Sequence, residues 1–194
     1  MAAIERTAYP YLPEVLAPRE LQAYYTPLPD ELEWASHSTR GERSRLGLLV
    51  LLKVFQQLHY FPPLGSIPTA GVDHVRATAG IGSTVRFGYD TALSPTLFRH
   101  YSAVRSYLDV KPYYGTDANA IATRAAHTAS LTIDQPVDII NATIDELIAR
   151  NIELPAFSGS EDGYVVVNDR TGEVVQVSGK NDPGWIADSR IKWK

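Results

Sequence analysis

The chain has 194 residues, with 44% hydrophobic and 21% charged side chains and a net charge of −4. That is enough apolar material for one packed domain plus a small appendage, and it argues against wholesale disorder. The absence of cysteine excludes a disulfide scaffold, a thiolate metal site and a cysteine nucleophile, and it fits a reducing cytoplasm.

The acidic total hides an uneven distribution. Residues 1–39 carry two basic and six acidic side chains, residues 40–111 nine and four, residues 112–157 two and six, and residues 158–194 five and six. Phosphate binding depends on local positive charge, so the basic block at 40–111 is the segment to examine for nucleic acid. The opening residues lack the apolar run of a secretory signal, and the run Leu46–Leu52 is far shorter than the ~20 residues a membrane span needs. A cytoplasmic protein without membrane contact is expected.

Along the chain, a first helix is signalled by Pro18-Arg19-Glu20-Leu21, with proline at the first helical position. A second runs from about Pro29 to Ser38, where Asp30, Glu31 and Glu33 suit the positive end of the helix dipole. A third, from Glu42 to about His59, is apolar around nearly its whole circumference, the mark of a central core helix. Phe61-Pro62-Pro63 is expected to stop it. A fourth covers about Pro68 to Ala79, with Gly80 as its stop.

After a loop containing Gly80, Gly82 and Gly88, Ser94-Pro95 predicts a capping hydroxyl and a helix start. Leu97, Tyr101, Val104 and Leu108 form its apolar stripe. Arg99, Ser102 and Ser106 fall opposite, with His100 and Arg105 on the shoulders, so a cationic outer face is expected. Asp117–Ala129 and Pro136–Arg150 read as two further helices. Ser158–Gly163 has a linker composition, and the β-branched runs at 164–167 and 173–177 around Asn168–Gly172 predict a hairpin. The fold expected is mainly α: a multi-helix bundle over 1–157, a linker at 158–163, and a small β-hairpin appendage within 164–194.

No phosphate loop, histidine pair with metal spacing or nucleophile elbow is present, so no catalytic residue, metal or cofactor is expected. The candidate residues are instead the cations of the basic block. Arg40, Arg43 and Arg45 lie at the start of the third helix, Arg76 on the fourth, Arg86 in the following loop, and Arg99, His100 and Arg105 on the fifth. Arginine offers fixed donors to phosphates and guanine edges.

Several segments resemble transposases of the Tn-three family. They are Ile4-Glu5-Arg6-Thr7-Ala8-Tyr9-Pro10, Arg45-Leu46-Gly47-Leu48-Leu49 running into Lys53-Val54-Phe55-Gln56, Tyr60-Phe61-Pro62, Ile67-Pro68, His74-Val75-Arg76, Arg99-His100, Val104 to Leu108, Ile139 to Ala142 and Glu153 to Ser158. The resemblance covers about residues 1–158. It implies a helical amino-terminal region that recognises the terminal inverted repeats of a transposon, with Arg76, Arg99, His100 and Arg105 at the family's basic positions. It does not bring transposition, because the acidic catalytic core of such enzymes lies hundreds of residues further on. The reading it favours is a truncated transposase-like protein that occupies double-stranded DNA at transposon ends or a nearby promoter.

Beyond Ser158 the resemblance stops, and the tail faintly resembles terminal pieces of bacterial toxin-system proteins. Two alternatives follow. The tail engages a protein partner in a toxin-neutralising or regulatory module, or it is a small ribonuclease-type toxin fragment in which Arg170, Lys180, Arg190 and Lys192 face phosphodiesters. The second is disfavoured because no histidine accompanies those cations.

Overall fold

A computed structural model of the chain describes residues 8–13, 15–91, 94–114 and 116–155, and the backbone of 163–167 and 174–179. The architecture is mainly helical. Among the described residues seven α-helices follow in order: α1 (Pro18–Tyr25), α2 (Pro29–Ser38), α3 (Glu42–Leu58), α4 (Thr69–Thr78), α5 (Pro95–Leu108), α6 (Thr116–Ser130) and α7 (Pro136–Ala149). Gly163–Val167 and Val174–Gly179 are short extended segments. Residues 4–7 and 156–158 of the resembling segments, most of the expected linker, the expected hairpin loop at 168–172 and the cations Arg170, Lys180, Arg190 and Lys192 lie outside the described residues.

The fold is built around α3. Every side chain from Leu46 to Phe55 is buried, and α1, α2, α4 and α5 all pack on this helix. An all-round apolar helix has no face to offer water, so it is stable only when wrapped. Leu97 and Val104 carry the apolar stripe of α5 into the same core, and Ile144 and Leu147 bring in α7. Ala126, Ala129 and Ile139 form a smaller core between α6 and α7.

The helix ends refine the expectations. α1 and α2 open with Pro at the first position, and Glu20 and Glu31 each accept the backbone N–H of the preceding cap residue, Ala17 and Leu28, at 2.7 Å. α3 stops before the prolines: His59 turns left-handed at φ 56°, and its N–H closes on the Phe55 carbonyl at 2.8 Å. Gly80 ends α4 with φ 63°, a conformation that costs glycine nothing. Ser94 occupies the cap position of α5, but its hydroxyl makes no capping hydrogen bond; proline at the first turn sets the start instead.

The segment after α7 is threaded into the bundle. Lys111 N–H donates to Asn151 O and Glu153 N–H to Lys111 O, both at 2.8 Å, and Leu154 N–H reaches His59 O at 2.7 Å. Tyr9 donates its hydroxyl to Pro155 O at 2.5 Å, and Tyr60 donates to Pro10 O at 3.2 Å, so both ends of the helical unit are pinned to one another.

Candidate nucleic-acid interface

The start of α3, the loop from Ile81 to Thr91 and the first half of α5 converge on one node. His100 lies at its centre, with Nδ1 2.6 Å from the Tyr89 hydroxyl and Nε2 3.1 Å from the Ser44 hydroxyl. Gly47 makes the approach feasible: a Cβ there would stand 2.7 Å from the Tyr89 oxygen. Burial, reinforced by neighbouring Arg99, pushes the His100 pKa down to about 4, and burial pushes the Tyr89 phenol well above its ordinary value. The imidazole is therefore neutral at pH 7, and each hydroxyl can donate to or accept from it.

On the elements that form this node, four exposed arginines stand beside the exposed acids Glu42 and Asp90. Arg43 donates to Gly88 O and to the Asp90 carboxylate, each at 3.3 Å, yet its side chain stays 61% exposed. Arg40, Arg86 and Arg99 are exposed, and Arg99 donates to the Thr96 hydroxyl at 3.0 Å. Screened surface pairs such as Arg43–Asp90 contribute little, about 0–1 kcal/mol, so a phosphate can compete for the guanidinium.

The other candidates are placed differently. His100, expected on a shoulder of the outer face, is 6% exposed and serves as the buried hinge between α3, α5 and the loop. Arg105, also expected on the rim, forms a two-pronged pair with Glu153, Nε to Oε2 at 2.9 Å and Nη2 to Oε1 at 3.1 Å. Its guanidinium stacks 5.1 Å from the Phe61 ring centroid. It fastens the segment after α7 to α5. Arg76 pairs with Asp73, as one turn of helix allows, and donates from Nε to Val85 O at 2.8 Å, which anchors the loop. Arg45 is half-buried.

Sequence reasoning missed Ser44 and Asp90, whose roles depend on contacts 56 and 47 residues away in the chain. It also missed a buried ion pair: Lys53 lies 3.1 Å from Glu31, with side chains 7% and 2% exposed. Its position in the sequence explains Glu31 by the helix dipole alone. Among the described residues no group of three histidine, aspartate or glutamate side chains is arranged to hold a metal ion. No described helix is long and apolar enough to cross a membrane.

Comparison with known families matches residues 1–162 to a domain of unknown function, DUF4158. The chain belongs to that family. Two curated proteins share a short stretch with it. A tRNA nuclease CdiA of Burkholderia pseudomallei is 89% identical over 36 residues, 19% of this chain and 3% of that protein. Colicin-E5 of Escherichia coli is 71% identical over 35 residues, 18% of this chain and 19% of that protein. The chain thus spans less than a fifth of either relative. No solved structure matches it.

Proposed function

We propose that the helical unit binds double-stranded DNA without cleaving it, through the face formed by the start of α3, the loop at 81–91 and the first half of α5. The observation that carries this is that Arg40, Arg43, Arg86 and Arg99, all exposed, lie on the segments that the part-buried Tyr89–His100–Ser44 node joins. Cations held on rigid elements around a packed centre suit phosphate contacts, which supply most sequence-independent affinity. The resemblance to Tn-three transposases supports transposon ends or a nearby promoter as the DNA target, and the protein belongs on this reading to the machinery of a mobile element.

The test is fluorescence anisotropy with a labelled duplex of ~30 bp. With about four phosphate contacts, affinity is expected to fall about a hundredfold between 50 and 200 mM salt. Arg43→Ala combined with Arg99→Ala should remove most of the binding. Binding that ignores both salt and this double substitution would refute the surface.

The tRNA nuclease match favours a second reading for the tail. We assign the matched stretch to the residues from about Gly159 onward, because the DUF4158 match ends at residue 162. On this reading residues 158–163 are a linker, and the extended segments pair as an antiparallel hairpin with Val165 opposite Val177. Arg170, Lys180, Arg190 and Lys192 are then remnants of a nuclease surface, retained for contact with RNA or with a protein partner such as a toxin antidote. Incubation of the chain with total tRNA is expected to leave it intact, since the match covers only 19% of Colicin-E5. Site-specific tRNA cleavage abolished by Lys180→Ala or Arg190→Ala would instead make the tail a ribonuclease.

A further inference from the structure

Arg99, Ser102 and Ser106 lie at i, i+3 and i+7 on α5, and all three are exposed. Ser102 and Ser106 also line an open groove of about 350 Å³, together with Arg105, Lys111 and Tyr114. Asp109, left-handed at φ 53°, closes the helix at the edge of this groove. The outward face of α5 therefore runs from a guanidinium across two short uncharged hydroxyls, and beyond the helix end the exposed Asp109 and then Lys111 follow. The major groove of duplex DNA is about 12 Å wide and is bordered by phosphates on both sides.

We propose that the outward face of α5 is the edge that enters the major groove of duplex DNA, with Ser102 and Ser106 toward the bases and Arg99 and Lys111 on the flanking phosphates. This rests on the DNA-binding reading above and adds a groove and an orientation to it. Serine is short enough to let the helix backbone approach the base edges, and its hydroxyl can donate or accept. The same geometry discriminates against an RNA duplex, whose major groove is too narrow and deep for a helix. Arg105 does not take part as a phosphate contact, because Glu153 occupies both prongs of its guanidinium.

The experiment uses the full chain with a randomised 20-bp duplex DNA library at a length of ~20 bp, followed by sequencing of the bound fraction. The wild type is expected to enrich a short sequence. Ser102→Ala with Ser106→Ala, both exposed and tolerant of alanine, should bind unselected duplex within about twofold of wild type while the enrichment flattens. Lys111→Ala should keep the enriched sequence, weaken binding severalfold and reduce the salt slope by about one. An RNA duplex or a single strand of the same sequence should bind at least ~10-fold more weakly. Enrichment unchanged in the double serine variant, no enrichment by the wild type, or equal binding of RNA duplex or single strand would overturn this orientation while leaving DNA binding in place. A wild type that binds no duplex at all overturns the DNA reading and the orientation together.

Discussion

Glu31 and Lys53 meet inside the bundle, and the carboxylate is saturated with donors: Leu28 N–H at 2.7 Å, Gln56 Nε2 at 2.7 Å and Lys53 Nζ at 3.1 and 3.3 Å. Removing one member of a buried pair leaves an uncompensated charge and costs about 3–5 kcal/mol. Lys53→Met should therefore destabilise strongly in urea unfolding, and Glu31→Gln added to it should recover part of the loss. If Lys53→Met unfolds within ~1 kcal/mol of wild type, the pair has no structural role. His100 gives a pH signature. Its pKa is about 4 when folded, against 6.5 in an unfolded chain, so the unfolded state binds the proton more readily between those values. Stability is complete above pH ~6.5 and is lost progressively as the pH falls toward 4. His59, lowered by its own burial, acts in the same direction. His100→Gln should flatten, but not erase, the pH dependence of the unfolding midpoint.

Two glycines decide how closely the elements approach. A Cβ on Gly71 of α4 would fall 2.5 Å from the Tyr25 ring of α1, and both groups are buried, so neither can step aside cheaply. Gly71→Ala is expected to cost about 1–3 kcal/mol through overpacking, read as a lowered melting temperature. Gly47→Ala acts elsewhere. By pressing on the Tyr89 hydroxyl it should release the 81–91 loop from His100 and weaken DNA binding more than it lowers stability. A variant that binds like wild type while Tyr89→Phe does not would show that the packing at Gly47 is irrelevant to the surface. The contrast between α3 and α5 belongs to the same scale. α3 supplies the core around its whole circumference, whereas α5 buries one stripe and leaves Arg99, Ser102 and Ser106 outside.

At the scale of the molecule, the buried members of both apolar clusters among the described residues lie between Tyr25 and Leu154, with Tyr9, Leu12, Leu16 and Leu21 packed against the larger one. The segment after α7 closes the unit through the Arg105–Glu153 pair and the backbone bonds of Lys111 and Leu154. Val174–Gly179 approaches α6, but the closing pairs just named lie before residue 156, so removing residues 159–194 is expected to leave the melting temperature and the DNA affinity near wild type. A collapse of either on deletion would show that the tail is part of the bundle. Arg105→Ala, by contrast, should loosen the closing segment and destabilise the unit without lowering the salt slope of DNA binding.

The helices could be read from the chain because their causes are local. Proline at the first turn placed α1, α2 and α5, the unbroken apolar run made α3 central, and Gly80 marked the end of α4. The basic block was equally visible, because charge is counted residue by residue. What each cation does was not visible. Helical spacing put His100 and Arg105 on the shoulders of α5, but spacing cannot say what stands opposite. Tyr89 and Ser44 took His100 into the interior as a neutral hub, and Glu153, 48 residues away, took up Arg105. Asp90 was likewise an anonymous loop acid until the fold set it against Arg43. The sequence by itself determined where helices begin and which faces are apolar, because those depend on neighbours within a turn or two. Tertiary structure alone decided which charged groups remain free to meet a ligand, because desolvation and pairing are set by partners that only folding brings together.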